Sequence, residues 1–317
     1  MSCIERYDYA FDPQGSDWAA RLLRRVPQGV PVLELGPGPG AMTRVLIRDE
    51  QRTVTVVEKD PQAVEILKSL PVKLVQADLD TDEWVRALGN ERFGAILACD
   101  VLEHLRDPRQ AVQTLGRLLQ PSGCLVISIP NVAYAGVVAG LRSGEFDYAD
   151  KGLLDRTHVH FFTRVSLEQM LMDCGLVPVV WEAYRLPPER SEFAHYWENL
   201  SGPWREYLSM GWPDYDVYEW MAVAVPTLDS REWSGELLRN DQRNLREELQ
   251  ELKRQHAQEH DSLLEHQKAF AEAKAVIADL QNQLVASRAH AQALQRGHGD
   301  FAASAVSWKT RLRRLLG

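Results

Sequence analysis

The sequence predicts an α/β fold with a mostly parallel sheet, followed by a long C-terminal helix. Up to residue 226, short apolar and β-branched runs alternate with helical patterns, as in strand–helix–strand units whose sheet is covered on both faces. From residue 236 to residue 296 the chain has neither glycine nor proline, and apolar residues recur in heptads, which is typical of a coiled coil. We therefore expect an α/β domain over residues 1–226, a polar linker over 227–235 and a coiled coil over 236–296.

The α/β domain is organised around residues 32–40, Val-Leu-Glu-Leu-Gly-Pro-Gly-Pro-Gly. An apolar run followed by a glycine at every second position predicts a buried strand that turns sharply into a helix near residue 41. Glycine permits positive φ at such a turn and leaves no Cβ between the backbone and a ligand. Because the spacing is G-x-G-x-G instead of G-x-G-x-x-G, a dinucleotide site is disfavoured.

Acidic residues follow three further predicted strands. Glu58 comes directly after the β-branched run 53–57, Asp78 after the run 72–77, and Asp100 after the run 93–99. The carboxyl ends of parallel strands meet at the same edge of a sheet, and an acid at the second strand is where a nucleoside ribose can be held by its hydroxyls. These acids are therefore predicted to share one ligand site.

Together these motifs resemble the class I S-adenosylmethionine-dependent methyltransferases, through ELGPGPG, VVEKD, QADLD, CDVLEHLRDP and LLQPSGCLVISIPN. The resemblance covers residues 1–226 and implies a Rossmann-like sheet of seven strands, mostly parallel with the last strand antiparallel. It also implies S-adenosylmethionine as the cofactor. The residues that it assigns to cofactor binding are Glu34, Gly36, Gly38, Gly40, Glu58, Asp78, Leu79 and Asp100.

The roles implied for these residues follow the parts of the cofactor. The glycine loop is expected to bring backbone amides against the methionine part, with Glu34 orienting the loop and Asp100 beside the ammonium group. Glu58 is expected to bind the ribose. Asp78 would accept from the adenine amino group, with Leu79 stacked on the ring; for both strand-end acids a solvated turn is the alternative.

The remaining elements follow from local patterns. Proline directly after Asp60 and after Asp107 occupies the favoured first turn of a helix, and Thr163 with Ser166 is a candidate helix cap. Glu103 and His104 start a helix after the fourth strand, where an acid also suits the helix dipole. The sequence is therefore equally compatible with a supporting role behind the site and with no functional role for these two residues. Helices are predicted over residues 16–26, 61–70, 83–88, 107–119 and 166–175, and strands over 176–182 and 220–225.

A block with two histidines carries the candidate catalytic residue. Residues 152–163, Gly-Leu-Leu-Asp-Arg-Thr-His-Val-His-Phe-Phe-Thr, are similar to a block of bacterial methyltransferases that act in cell-surface polysaccharide biosynthesis, of O-antigen or capsule type. The resemblance singles out His158 as a general base, for which histidine has a suitable pKa. We place Asp155, His160 and Tyr134 on the acceptor side.

Other interpretations of this block remain open. His158 is equally compatible with a structural role, in which it bonds a loop or supports the cap of the next helix. Asp155, His158 and His160 carry atoms that can ligate a metal, but we expect no metal. Because His158 and His160 are two residues apart in an extended segment, both side chains are expected to point the same way.

An aromatic-rich insertion over residues 183–217 separates the last two predicted strands. Near the sheet edge, its aromatic side chains would suit stacking on a sugar or a quinone ring, whereas a hydrophobic cover for the core is the alternative. The tryptophans of this region and its borders are Trp181, Trp197, Trp204, Trp212 and Trp220.

The C-terminal segments predict assembly. The heptad residues, such as Leu245, Leu249 and Leu252, predict a homo-oligomeric coiled coil, while polar positions such as Gln242 and His256 leave pairing with a glycosyltransferase's coil open. A single helix folded back on the α/β domain is the third alternative. Residues 297–317 form a basic tail that resembles the S-x-S-W-K/R motif of polysaccharide-assembly enzymes; residues 301–317 are a candidate membrane-surface helix, with docking to a protein as the alternative.

Composition excludes several classes. A formal net charge of −9 over 317 residues argues against nucleic-acid binding, which needs a basic face. The four cysteines have no C-x-x-C spacing, and the chain has no apolar leader or membrane span, so we expect a cytoplasmic protein, peripheral at the inner face of the cell membrane if its tail binds lipid.

Three functions are compatible with these patterns. The first is an O-methyltransferase acting on a sugar hydroxyl of a cell-surface polysaccharide or of its lipid-linked or nucleotide-linked precursor. The second methylates a quinone precursor or another small hydroxylated molecule. The third is a scaffold that binds S-adenosylmethionine without catalysis and organises a glycan-assembly complex.

Overall fold

The computed structural model describes residues 9–49 and 51–227, together with the helical residues Arg254, Lys274 and Arg311. The chain divides into two units, Met1–Arg239 and Asn240–Gly317. The predicted coiled coil, the tail, and all but the first residue of the linker lie outside the described residues, apart from those three helical positions. They therefore stay predictions.

One seven-stranded sheet forms the centre of the first unit. Its strand order is β3-β2-β1-β4-β5-β7-β6, and β7 alone runs antiparallel to its neighbours β5 and β6. This confirms the predicted mostly parallel, Rossmann-like sheet. The strands are β1 (Val32–Leu35), β2 (Val54–Glu58), β3 (Lys73–Gln76), β4 (Phe93–Cys99), β5 (Leu119–Pro130), β6 (Leu176–Arg185) and β7 (Val217–Pro226).

Helices cover both faces of the sheet, because its central strands are apolar on both sides. One core packs residues such as Trp84, Leu115 and Leu167 against the sheet, and the other packs Leu22, Leu46 and Leu67 against the opposite face. The helices are α1 (Trp18–Leu23), α2 (Thr43–Leu46), α3 (Pro61–Leu67), α4 (Glu83–Leu88), α5 (Pro108–Leu118), α6 (Ala135–Arg142), α7 (Arg164–Asp173), α8 (Ala194–Asn199) and α9 (Gly202–Gly211).

The predicted helix starts are confirmed where a cap residue marks them. Asp60 accepts hydrogen bonds from two backbone amides at the start of α3, and Asp107 accepts one at the start of α5. Thr163 and Ser166 form a reciprocal capping box at α7. Asp17 stands at the N-cap of α1, but its side chain makes no capping bond.

The segment between the last two strands differs from the prediction. Antiparallel pairing continues to Tyr184 opposite Glu219 and Arg185 opposite Val217, so β6 ends later and β7 begins earlier than expected. The intervening residues 186–216 contain a 3₁₀ turn, Pro188–Arg190, and the helices α8 and α9. Among the described residues, no helix is both long and apolar enough to cross a membrane.

The order of the strands places a crevice at the carboxyl end of β1. From β1 the chain passes to β2 and β3 on one side, and β4 and β5 lie on the other side. Open α/β sheets bind their ligands at such a point, where the strand order reverses, outside the carboxyl ends of the strands. The residues predicted for cofactor binding lie at these strand ends.

Candidate active site

A cavity of about 740 Å³ opens at this crevice, within the range of about 300–1,000 Å³ found for small-molecule sites. It brings together most of the residues predicted from the sequence. Those that line it are Glu34, Gly36, Gly38, Glu58, Asp78, Leu79, Asp100, Asp155 and His158. Gly40, Tyr134 and His160, which were predicted with them, are not among the lining residues.

The glycine loop lines the cavity with backbone in the left-handed region. Gly36 and Gly38 have φ of 57° and 54°, a conformation that side-chain-bearing residues avoid. A Cβ at Gly36 would also lie 3.3 Å from Val101. Two glycines are therefore needed to turn the chain at the end of β1 and keep its amides close to a ligand.

Gly40 has a packing role. It has φ of 87°, and a Cβ there would lie 3.0 Å from Leu67 and 3.3 Å from Leu70. An added Cβ would meet α3 and the residues after it, so packing requires a glycine here, and the expected contact of Gly40 with the cofactor stays a prediction. The G-x-G-x-G pattern alone does not separate a glycine needed for ligand approach from one needed for helix packing.

This placement gives a first prediction. Gly40→Ala should lower the free energy of unfolding by about 1–2 kcal/mol for the left-handed backbone alone, and by more because of the leucine contacts, without changing affinity for S-adenosylhomocysteine. Gly89→Ala is the matched control, since Gly89 has φ of 59° with nothing within 4 Å of its Cβ position. Urea unfolding and calorimetry measure both effects. A variant as stable as the control, or one with weakened ligand binding, would contradict the packing role.

Glu58 connects the end of β2 to the glycine loop. One carboxylate oxygen accepts from the Gly38 amide at 2.9 Å, and the other accepts from Lys59 and Asp60 amides at 2.7 and 2.8 Å. These bonds hold a buried carboxylate at the cavity wall. The side chain is thus fixed where a ribose would be bound, and it also orients the loop that approaches the rest of the ligand.

Glu34 lies beneath the loop on β1. It is buried and accepts a hydrogen bond from the Thr43 hydroxyl at 2.7 Å. Burial raises the pKa of Glu34 from 4.5 to about 7, and the nearby Glu58 adds to the rise while the Thr43 bond opposes it. That Glu34 orients the glycine loop remains a prediction. The hydrogen bond from Thr43 of α2 connects Glu34 to the helix that follows this loop.

The raised pKa of Glu34 predicts a pH-dependent stability. The folded protein binds a proton at Glu34 that the unfolded chain has lost, so unfolding becomes easier as pH rises from 4.5 to about 7. The full loss is about 3 kcal/mol at about 1.4 kcal/mol per pKa unit. Glu34→Gln removes this titration, so its stability relative to the parent should increase between pH 5 and pH 8. Urea unfolding at pH 5 and at pH 8 measures the difference in unfolding free energy between variant and parent. The same difference at both pH values would contradict the raised pKa of Glu34.

Asp78 and Leu79 form the wall beyond β3. The Asp78 side chain is partly exposed, forms an ion pair with Lys59 at 3.7 Å, and accepts from the Asp80 amide at 3.1 Å. Leu79 packs partly against the core and lines the cavity. An apolar side chain beside a carboxylate suits a nucleobase with an amino group. An ordinary surface turn would show the same contacts.

Two carboxyl groups, the part-buried Asp100 and the buried Glu219, lie at the ends of β4 and β7. Asp100 has φ of 51°, a left-handed conformation that Asp adopts more readily than most residues, and it accepts a 2.8 Å hydrogen bond from Ser128. Burial raises the pKa of Asp100, and burial together with the Asp100 charge raises that of Glu219 well above its ordinary value. Glu219 was not predicted; its signal was a lone acid in the otherwise mostly apolar strand β7.

His158 lines the cavity together with Glu103 and His104. Its ring Nε2 is 4.0 Å from a Glu103 carboxylate oxygen, and the two imidazole rings are 4.7 Å apart, edge to face. Burial raises the pKa of Glu103 and lowers that of His104. No pattern in the sequence indicates that Glu103 and His104 meet a histidine some fifty residues later.

The other residues of the histidine block do not share this position. Asp155 lines the cavity, but its carboxylate accepts from the amide and hydroxyl of Thr157 at 2.8 and 2.7 Å. His160 bonds the Arg106 carbonyl oxygen, whereas His158 lines the cavity and bonds the Leu153 carbonyl oxygen, so the two side chains do not point the same way. Tyr134 is fully buried and donates to the Leu186 carbonyl, which places it in the core and not on the acceptor side.

The aromatic insertion contributes little to the cavity wall. Tyr218, just after the insertion, lines the cavity and donates to Glu192, whereas Trp197 is buried and Trp204 is exposed on α9. Tyr9 and Trp18 line the cavity from the N-terminal segment.

The lining residues fit a cationic nucleoside. One carboxylate oxygen of Glu219 has no hydrogen-bond partner among the described residues, and a buried acid without a partner favours a bound cation. S-adenosylmethionine carries a sulfonium and an ammonium group, together with a ribose and an adenine that suit Glu58 and Asp78. Fold and site together therefore define a nucleoside-binding α/β protein of the S-adenosylmethionine-dependent class.

Comparisons with known proteins agree with this class. The family described as "Methyltransferase domain" matches residues 7–180. The matched range includes the glycine loop, the strand-end acids and the histidine block. The chain therefore belongs to the methyltransferase-domain family.

Individual relatives are distant. "Ubiquinone biosynthesis O-methyltransferase" of Xylella fastidiosa (strain 9a5c) is 26% identical over 177 residues, 53% of this chain and 68% of that protein. The mitochondrial "Dimethyladenosine transferase 1" of Drosophila melanogaster is 28% identical over 115 residues, which span 35% of this chain and 31% of that protein. A 1,6-didemethyltoxoflavin-N1-methyltransferase from Burkholderia thailandensis, solved with bound S-adenosylhomocysteine, has 17% identity and a TM-score of 0.42, over 66% of this chain and 76% of that chain.

Proposed function

We propose that the chain is an S-adenosylmethionine-dependent O-methyltransferase that modifies a sugar hydroxyl of a cell-surface polysaccharide or of its lipid-linked or nucleotide-linked precursor. One observation carries the O-methyltransferase assignment: Glu58, the candidate for the ribose, and His158, the candidate for the acceptor hydroxyl, line the same cavity. A site that binds the cofactor and activates a hydroxyl needs both.

Residues at different places in the cavity have different roles in the proposed reaction. The glycine loop and Glu58 bind and orient the nucleoside, and Asp100 with Glu219 lies where a cationic amino group is stabilised. When bound, S-adenosylmethionine supplies the methyl group, whose carbon–sulfur bond breaks toward sulfur as the acceptor oxygen forms its new bond and releases its proton. His158 activates the hydroxyl, and the cavity walls restrict water. Orientation of the partners contributes up to about 7–11 kcal/mol in well-aligned reactions.

The sugar acceptor rests on the similarity of residues 152–163 to the polysaccharide enzymes. A second candidate, a quinone precursor or another small hydroxylated ring, is favoured by the relative from Xylella fastidiosa, which is described as an O-methyltransferase of ubiquinone biosynthesis. Tyr9, Trp18 and Tyr218 of the wall offer aromatic side chains that suit either ring. A non-catalytic scaffold is disfavoured by the Glu103 carboxylate, which lies beside His158 and has no hydrogen-bond partner in the described residues.

The proposal extends to assembly. We propose that the α/β domain ends at residue 226 and that the coiled coil over residues 236–296 makes the protein a homo-oligomer, with a glycosyltransferase as the alternative partner. The basic residues of the tail, Lys309, Arg311, Arg313 and Arg314, would add about 1 kcal/mol each near anionic lipid. Nucleic acid is not proposed as a partner.

Transfer of labelled methyl groups tests the proposed function. The full-length protein is incubated with S-adenosylmethionine labelled in its methyl group and a membrane extract of the native cells, and the product is partitioned and hydrolysed in acid. Label in a methylated sugar supports the leading proposal, and label in a quinone-like lipid supports the second candidate. The enzymatic function would be contradicted if the protein binds S-adenosylhomocysteine but transfers no label to any acceptor in the membrane extracts or among soluble sugar nucleotides.

A further inference from the structure

The cavity contains a cluster of three side chains whose donor atoms converge. One oxygen of Glu103 and one nitrogen from each of His104 and His158 all lie within 4.8 Å of one another. Glu103 is 1% exposed, and neither of its carboxylate oxygens has a hydrogen-bond partner in the described part of the chain. A buried carboxylate in this situation is costly unless something positive lies beside it.

The hydrogen bonds of the two histidines fix which ring nitrogen is a donor. His158 Nδ1 lies 3.1 Å from the Leu153 carbonyl oxygen, and His104 Nδ1 lies 3.2 Å from the Thr157 carbonyl oxygen. Because a carbonyl oxygen only accepts, both Nδ1 atoms carry hydrogen, and in the neutral ring the lone pair is on Nε2. Histidines that ligate a metal show this arrangement, with the other ring nitrogen donating to a backbone carbonyl.

The backbone holds the cluster together. The 3₁₀ turn Leu102–His104 and the histidine block come from distant parts of the chain, and the Glu103 carbonyl oxygen accepts from the amides of Val159 and His160 at 2.9 and 3.1 Å. These contacts position the three side chains before any ligand binds, as a specific site requires.

We propose that Glu103, His104 and His158 bind a divalent transition-metal cation that receives the acceptor hydroxyl. This inference rests on the proposed function and revises the expectation that no metal is bound. Two imidazole nitrogens and one carboxylate oxygen suit zinc, manganese, iron or cobalt better than magnesium or calcium, which prefer oxygen. Two ligands at about 2.1 Å from a tetrahedral ion are about 3.4 Å apart, so the Glu103 oxygen and His158 Nε2, which are 4.0 Å apart, would approach each other by about half an ångström on binding.

The cation explains how this site activates a hydroxyl. Three protein ligands leave positions open at the metal, and a hydroxyl bound there has a lowered pKa, as metal-bound water does. The proton would then leave to solvent, and the oxygen would bond to the methyl carbon as the carbon–sulfur bond breaks and S-adenosylhomocysteine leaves. His158 is then a ligand and not the proton acceptor. A proton shared between Glu103 and His158 is the alternative, but their 4.0 Å separation exceeds hydrogen-bond length.

Direct binding of metal tests the proposal without using activity. The full-length protein is stripped with EDTA and titrated with cobalt(II), zinc(II) or manganese(II), with calorimetry, elemental analysis and the visible spectrum of cobalt as readouts. We expect one equivalent bound, with a cobalt spectrum of nitrogen and oxygen ligation. Glu103→Gln keeps both histidines and should weaken binding at least about tenfold, while His160→Asn, a neighbouring histidine outside the cluster, should not.

The outcomes separate this inference from the proposed function. Absence of specific binding, or binding that is equal in Glu103→Gln and the parent, would overturn the metal site, provided that both bind S-adenosylhomocysteine normally. If methyl transfer then continues in EDTA, the proposed function stands and His158 returns to the role of base. Specific metal binding that is lost in Glu103→Gln supports the site even where no acceptor is methylated, in which case the proposed function fails alone.

Discussion

His158→Asn should reduce the rate of methyl transfer by about a hundredfold to about ten-thousandfold, the range for loss of a group that activates a hydroxyl, while affinity for S-adenosylhomocysteine is unchanged. The side chain lies beside Glu103 and has no contact with Glu58 in the described structure, so its loss is expected to affect the acceptor and not the nucleoside. Single-turnover kinetics with labelled cofactor and calorimetry measure the two quantities.

Two controls make this prediction specific. His160→Asn removes a histidine that faces the Arg106 carbonyl outside the cavity, so its rate should remain far above that of His158→Asn. Glu103→Gln should resemble His158→Asn, because both change the same cluster. Full activity of His158→Asn, or loss of S-adenosylhomocysteine binding together with activity, would contradict a role at the acceptor hydroxyl.

Glu58→Ala should weaken binding of S-adenosylhomocysteine by about tenfold to about a hundredfold, since a hydrogen bond to a charged group contributes about 1.5–3 kcal/mol. Part of this loss comes from the glycine loop, because Glu58 accepts from the Gly38 amide. Glu65→Ala is the control, an acid on the exposed side of α3 that pairs with Lys68. Calorimetry measures the affinities.

A thermodynamic cycle that combines the Glu58→Ala variant with a changed ligand separates ribose binding from loop orientation. The 2′-deoxy analogue of S-adenosylhomocysteine should bind the parent protein more weakly than S-adenosylhomocysteine itself, and this difference should largely disappear in Glu58→Ala. If the difference is as large in the variant as in the parent, Glu58 supports the loop only. Equal affinity of Glu58→Ala and the parent would exclude both roles.

The sheet and the cofactor side of the cavity could be predicted because their signals are local. Apolar strands ending in Glu58, Asp78 and Asp100, and proline after Asp60 or Asp107, each depend on neighbours in the sequence. The parallel sheet then brings the strand ends together without further information. The predicted helix caps appear where a short polar side chain precedes the helix.

The rest depends on contacts between distant segments. Gly40 matches the glycine pattern, but its place against Leu67 is set by the packing of α3. His158 and His160 bond different carbonyl oxygens, those of Leu153 and Arg106, although their two-residue spacing predicted one direction. Glu103 meets His158 because two segments pair through the Glu103 carbonyl, and Glu219 reaches the cavity from β7. None of these contacts has a periodicity that a sequence displays.

The most direct measurement of the shared cavity is the structure of the full-length protein crystallised with S-adenosylhomocysteine. We expect the ribose hydroxyls at the Glu58 carboxylate, the homocysteine part against Gly36 and Gly38, and the sulfur facing the space in front of His158 and Glu103. A nucleoside bound away from Glu58, or a sulfur pointing away from His158, would contradict one shared cavity for cofactor and acceptor.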